Sequence, residues 1–147
     1  MPVKPIPEGF HSLTPFLTVF GADKVLDFMK QAFGADIKSV MKMPDGTVAH
    51  ATAKIGDSMV MLGEANDRWK AMPASIYVYV PDVDGTYKKA LEAGGVSVSE
   101  VSDQFYGERH GGVKDPAGNI WWIATHIEDV SEEELKRRMA SFRNKEV

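Results

Sequence analysis

Asp115-Pro116-Ala117-Gly118-Asn119-Ile120-Trp121-Trp122-Ile123-Ala124 is a tight turn feeding a strand. Pro116 and Gly118 punctuate the turn, and Ile-Trp-Trp-Ile is the aromatic, β-branched chemistry of a strand. Alternate strand residues point to opposite sides, so Ile120, Trp122 and Ala124 share one face while Trp121, Ile123 and Thr125 share the other. One tryptophan belongs to the core, and the other lines something.

Working upstream, residues 75–80 read as a strand, 82–93 as a helix stopped by Gly94-Gly95, and 96–101, 106–113 and 119–126 as three further strands. The first half repeats the order. An apolar run at 10–19 reads as a strand. Val25, Phe28, Met29, Ala32 and Phe33 then fall at helical spacing, with Asp23, Lys24, Asp27 and Lys30 away from them and Gly34 as the stop. Strands at 37–43, 47–55 and 58–62 are separated by Pro44-Asp45-Gly46 and Gly56-Asp57, the turn chemistry of antiparallel hairpins. Residues 64–74, polar and containing Pro73, read as a crossing loop, and 1–9, with Pro2, Pro5 and Pro7, as an extended arm.

The order is therefore βαβββ twice. An offset of 61 residues carries Val19 to Val80, Asp23 to Asp84, Ala32 to Ala93, Gly34 to Gly95 and Gly46 to Gly107, a repeat that needs no gap. The expected fold is α+β: two βαβββ modules, about 10–63 and 75–126, forming a curved mixed sheet with a central cleft in one domain spanning 1–147. A C-terminal helix follows at about 131–143. Ser131 and Glu134 make its capping-box pattern, Arg137, Arg138 and Arg143 suit its C-terminal half, and Leu135, Met139 and Phe142 form an apolar stripe. That stripe docks on its own domain or on a second subunit.

The 147 residues suffice for one sizeable core, and 44% apolar with 26% charged residues is ordinary for a soluble domain. No run approaches the ~20 apolar residues of a membrane helix. The N-terminus lacks an apolar signal-peptide core, and the absence of cysteine removes disulfides, thiol nucleophiles and thiolate metal sites. A cytoplasmic address is expected. A net charge of −4 argues against a nucleic-acid partner and favours a neutral or cationic one.

Strand parity sorts the faces. Pro15, Leu17 and Val19 alternate with Thr14, Phe16 and Thr18; Ile76, Val78 and Val80 alternate with Ser75, Tyr77 and Tyr79. The aliphatic sets cover the helices. By the same logic Met59, Met61 and Trp122 point into the cleft, and His50 joins them if Ala49, Ala51, Ala53 and Ile55 form the packed side of its strand. Such a lining suits a flat or greasy small molecule held by stacking, Met contact and a few hydrogen bonds. The alternative is a filled core, against which the hydroxyls of Thr14, Ser75, Tyr77 and Tyr79 argue, since burying them without partners is costly. Tyr106, Arg109 and His110 form either a polar rim, with Arg109 pairing a ligand carboxylate or phosphate, or a solvated hairpin.

With these elements in place the chain resembles the vicinal oxygen chelate superfamily of glyoxalase I, extradiol dioxygenases and bleomycin-resistance proteins. The likeness rests on the paired modules, Val80-Pro81-Asp82-Val83-Asp84, Ala93-Gly94-Gly95, Tyr106-Gly107-Glu108-Arg109 and the opening stretch. Met43-Pro44-Asp45-Gly46, His50-Ala51, the segment 103–109 and the segment 124–131 are similar to its PhnB-like branch.

The resemblance implies a homodimer. It also implies one divalent ion held from four strands at positions that fall here on Thr14, Met61, Ser75 and Trp122, none of them a His or Glu. His11 and Glu64 each lie three residues from such a position, on the opposite face. His126 has the right parity but sits about 13 Å further along its strand, at roughly 3.3 Å per residue. His50 is the remaining candidate, and it stands alone. No metal or other cofactor is therefore expected. The expected function is a small-molecule-binding protein of this fold, with Thr14, Phe16, His50, Met59, Met61, Ser75, Tyr77, Tyr79, Tyr106, Arg109 and Trp122 as ligand contacts. The alternative is a lyase, isomerase or dioxygenase-related enzyme. It would have a displaced metal near His50, or would use His50 as general base and Arg109 for an anion.

Overall fold

The computed structural model describes residues 2–146, with side chains described through Arg143. The first module comprises β1 (Phe16–Val19), α1 (Ala22–Phe33), β2 (Asp36–Lys42), β3 (Val48–Ile55) and β4 (Ser58–Glu64). The second comprises β5 (Ser75–Tyr79), α2 (Val83–Glu92), β6 (Val96–Asp103), β7 (Glu108–Lys114) and β8 (Ile120–His126), and α3 (Glu132–Glu146) follows. The class is α+β, built from two βαβββ modules. Hydrogen bonding groups the strands into two four-stranded sheets, ordered β1-β4-β3-β2 and β5-β8-β7-β6. In each, the first strand runs parallel to the last and the remaining pairs are antiparallel.

The ladders test the repeat residue by residue. Phe16 lies opposite Met61 and Tyr77 opposite Trp122, so both members of the parallel pair are 61 residues apart. The third strands depart from the expected gapless offset. Ala51 faces Leu62 whereas Gly111 faces Ile123, an offset of 60. A β-bulge absorbs the extra residue: His50 pairs with Met41 and Val48 with Lys42, leaving Ala49 unpaired between them. Ala49 is exposed and Val48 takes the packed place, which corrects the expectation that Ala49 belongs to the buried side. The slip also makes His50 and His110 equivalent positions.

β1 is shorter than the expected 10–19. The Phe10 N–H turns back to the Pro7 carbonyl at 3.0 Å, and Pro15 contributes only its carbonyl, which accepts the Met61 N–H at 2.9 Å. In α1 the residues at helical spacing, Val25, Phe28, Met29 and Ala32, are buried. Its positive end is capped from β4, where the Glu64 carboxylate accepts the N–H groups of Gly21 (2.8 Å) and Ala22 (3.2 Å).

One apolar cluster joins Leu17, Val19 and Leu62 of the first sheet, Phe28 and Met29 of α1, and Val113, Trp121 and Ile123 of the second sheet. Trp121 is 1% exposed, with its ring centroid 5.0 Å from Phe33 and 6.4 Å from Phe28. The sheet faces turned toward the helices thus make the core, and the opposite faces stay open.

The turn before β8 is organised by a buried carboxylate. Asp115 accepts the backbone N–H groups of Ala117 and Asn119, the Asn119 side-chain amide and the Trp121 indole N–H at 2.9–3.0 Å. Asn119, itself fully buried, accepts the Ala74 N–H at 2.9 Å and so ties the turn to the entry of β5. Each buried donor and acceptor has a partner, so removing Asp115 strands several at once.

α3 starts where the capping pattern put it, the Ser131 hydroxyl accepting the Glu134 N–H at 3.2 Å. It rests on the second module through Arg138, which donates to Glu128 and to the Phe105 carbonyl, and through Phe142, 5.2 Å from the Phe105 ring. Met139 and Phe142 remain substantially exposed. Among the described residues no helix is long and apolar enough to cross a membrane.

Candidate ligand-binding face

Parity decides which side chains of the second module reach the open face. Ile76 and Val78 of β5, Trp121 and Ile123 of β8, and Val113 of β7 pack on the helix side. Ser75, Tyr77 and Tyr79, then Trp122, then Glu108, His110 and Gly112 are left on the other. The Trp122 indole lies flat across this face. Its N–H donates to the Ser75 hydroxyl on β5 at 3.1 Å, and its benzo edge covers Gly112 on β7. A β-carbon at Gly112 would come within 2.6 Å of the ring, so glycine is what lets the indole lie down.

Further aromatic rings extend the floor. The His110 imidazole stacks beside Trp122, centroids 5.5 Å apart and planes 24° apart. Tyr77 and Tyr106 lie 5.9 and 6.1 Å from His110, and Tyr79 lies 5.3 Å from Tyr77. Tyr77 and Tyr79 are 40% and 63% exposed, so among the described residues the floor is most open at that end.

Charge enters at one edge. Glu108 is 6% exposed, accepts the Tyr79 hydroxyl proton with one oxygen and meets His126 Nδ1 with the other at 2.8 Å. His126 Nε2 in turn meets Asp129 at 2.8 Å. The Asp129 and Glu108 carboxylates raise the His126 pKa, favouring the imidazolium that donates to both. His110 behaves in the opposite way: burial lowers its pKa, and its Nδ1 is buried without a hydrogen-bond partner among the described residues. Burial, with the nearby Tyr106 hydroxyl and Glu108 carboxylate, holds the Tyr77 phenol well above its ordinary value, so it stays protonated.

The first module presents a different surface. Phe16 and His50 form a pair 5.7 Å apart at 45°, close to the 5.9 Å and 43° of Tyr77 and His110 at the equivalent positions. Met61 is half-buried, and the Met59 side chain approaches Gly9 of the N-terminal arm. Beside this pair is a pocket of about 300 Å3 lined by Phe16, Thr18, Ala49, Gly63, Asn66 and Trp69. A groove of about 590 Å3 at the seam between modules meets Leu13, Pro15, Met59, Tyr77, Tyr79 and Trp121.

The structure brings Ser75, Tyr77, Tyr79, Tyr106 and Trp122 together, and separately Phe16, His50 and Met61. Thr14 is half-buried just before β1. Arg109 is on the helix side, where its guanidinium donates to Asp84 of α2 at 2.9–3.0 Å and to Asp103 at 2.9 Å. It is therefore not part of the aromatic group, and its donors are engaged by protein carboxylates. Glu108, Gly112 and Trp69 have no place in the sequence reading of the site. For Glu108 and Gly112 the obstacle was phase: Gly111-Gly112 interrupts the alternation that would have shown which of 108–113 share a face.

The positions the family resemblance assigns to a metal do not fit one. Ser75 Oγ is taken by the Trp122 indole N–H, the indole itself fills the space over β8, and Thr14 and Met61 add only a hydroxyl and a thioether. Glu64, the nearest carboxylate in sequence, is engaged with α1. Among the described residues no three His, Asp or Glu side chains are placed to hold an ion.

The relatives agree with this architecture. The sequence profile of the Glyoxalase/Bleomycin resistance protein/Dioxygenase superfamily matches residues 9–123. The uncharacterized protein Mb0911c of Mycobacterium bovis is 33% identical over 141 residues, 88% of this chain and 93% of its own. Among solved structures, TioX from Micromonospora sp. ML1 superposes with a TM-score of 0.69 at 23% identity, covering 80% of this chain and 99% of TioX. The PhnB protein of Bacillus cereus, described as a putative 3-demethylubiquinone-9 3-methyltransferase, superposes at 0.60 with 21% identity, over 78% of this chain and 99% of that one. On the profile match and the paired βαβββ modules, the chain belongs to the Glyoxalase/Bleomycin resistance protein/Dioxygenase superfamily.

Proposed function

We propose that this chain is a cytoplasmic small-molecule-binding protein that works without the superfamily's metal and takes a flat aromatic ligand on the open face of its second module. The observation that carries the reading is the Trp122 indole laid across β5, β8 and β7 by Ser75 and Gly112, with Tyr77, Tyr106 and His110 around it. A partly exposed aromatic floor held by these contacts gains by burying a ring, through apolar area and offset stacking.

The enzyme alternative loses its anion partner, because Arg109 faces α2 with Asp84 and Asp103 on its guanidinium. A homodimer is part of the proposal, with exposed Met139 and Phe142 of α3 as apolar surface for the second copy.

Titration with naphthalene-class probes, followed by tryptophan fluorescence, is expected to give saturable quenching that is lost in Trp122→Ala. Elemental analysis of protein purified without chelators is expected to find no stoichiometric metal. Quenching that persists in Trp122→Ala, or a full equivalent of Zn, Mn, Ni or Fe, contradicts the reading.

A further inference from the structure

The hydrogen bonds behind the floor specify what its ligand must carry. A phenol hydroxyl has one proton and two lone pairs, and a carboxylate can only accept. Tyr79 gives its proton to Glu108, which is buried and therefore holds that direction. The second Glu108 oxygen is engaged by His126, and His126 by Asp129, so two side chains, on β8 and the following loop, keep the carboxylate in place. What the Tyr79 oxygen shows to the open face is then lone pairs only. Tyr79 is exposed on that face and its ring lies next to Tyr77, within reach of anything resting on the aromatic floor. Nearby, the buried Nδ1 of His110 has no hydrogen-bond partner among the described residues.

We infer that the Tyr79-Glu108-His126-Asp129 chain makes the Tyr79 hydroxyl a dedicated hydrogen-bond acceptor, and that the ligand of this face is a flat aromatic compound bearing a hydrogen-bond donor on its ring, an O–H or N–H. This rests on the floor reading above and narrows it from flat ligands to flat donors. A ring with an ether or carbonyl at that edge meets lone pairs with lone pairs, and its binding suffers because a group desolvated without a partner is costly. Tyr79 is the contact. Glu108 is a positioning residue that acts through it.

The test uses three probes of one shape: naphthalene, 2-naphthol and 2-methoxynaphthalene, titrated into the full chain. Wild type is expected to bind 2-naphthol about tenfold more tightly than 2-methoxynaphthalene, a difference of about 1.4 kcal/mol. Tyr79→Phe keeps the ring and removes the acceptor, so the preference, read as the ratio of the two affinities so that any general change in binding cancels, is expected to shrink below about threefold. Glu108→Ala frees the Tyr79 proton to turn toward the ligand, and the methoxy probe is expected to gain on the naphthol. Naphthalene affinity in each variant reports that the floor is intact. Equal binding of naphthol and methoxynaphthalene to wild type, or a preference that survives Tyr79→Phe, overturns this inference and leaves the floor reading standing. Failure of all three probes to bind wild type overturns the floor reading and this inference with it.

Discussion

The open faces of the two modules share one backbone plan and carry different chemistry. Phe16 and Met61 stand opposite each other in the first parallel pair as Tyr77 and Trp122 do in the second, and each face has a histidine beside its β1 or β5 aromatic ring at nearly the same distance and tilt. The difference lies in one exchange of volume across the last two strands. Opposite Met61 stands Thr52, whereas opposite Trp122 stands Gly112. A medium side chain facing a medium one leaves a small, uneven surface. A large ring facing none can lie flat and pave its sheet. A duplicated scaffold therefore sets where side chains go, and a single large-with-small pairing decides whether a face becomes a platform.

That contrast can be pressed at several points. The largest effect separates the two neighbouring tryptophans. Trp121 fills the core between α1 and the second sheet, so Trp121→Ala is expected to cost about 3–5 kcal/mol in urea unfolding. Trp122→Ala should cost less, because its ring is only partly buried. Similar losses for both would mean that Trp122 is also core. Next comes the exchange itself. Gly112→Val puts a branched side chain where the indole lies, and flat-probe affinity is expected to fall about tenfold, the stacking share of ~1.4 kcal/mol. Thr52→Val, at the matching position of the first module, is expected to leave it unchanged. Equal effects would erase the distinction between the faces.

The smallest effect is in the pH dependence, and again belongs to one module only. Asp129 and Glu108 raise the His126 pKa above its ordinary 6.5. A base raised on folding stabilises fully below its unfolded value, and that contribution is lost as pH rises through the folded one. Urea unfolding of wild type minus His126→Gln is therefore expected to show wild type's advantage near pH 6 fading at higher pH. The subtraction cancels His110, whose shift runs the other way. A flat difference across the range would show that the Glu108-His126-Asp129 chain is not formed.

Local pattern was enough for the fold. Helical spacing in Ala22–Phe33, hairpin turns at Asp45-Gly46 and Gly56-Asp57, and the Pro116-Gly118 turn each report on neighbours in sequence, and each element stands where those signals put it. Trp121 and Trp122 were separable for the same reason, since parity in a strand is local. The site was less readable because its decisive contacts are between strands. The one-residue slip at the Ala49 bulge, which hides the equivalence of His50 and His110, exists only in the β2–β3 pairing. The seat for Trp122 is a glycine on another strand, and the direction of the Tyr79 proton depends on a glutamate 29 residues away. Arg109 looked like a rim cation until α2 supplied Asp84.

The three tryptophans offer a direct test of where the ligand lies, since Trp69 lines the first-module pocket, Trp121 the core and Trp122 the second-module floor. Indole N–H resonances assigned by substitution can be followed while 2-naphthol is added. If the ligand lies on the second-module floor, the Trp122 signal moves in proportion to saturation while those of Trp69 and Trp121 hold still. A moving Trp69 signal with Trp122 unchanged would place the ligand on the first module and contradict this reading.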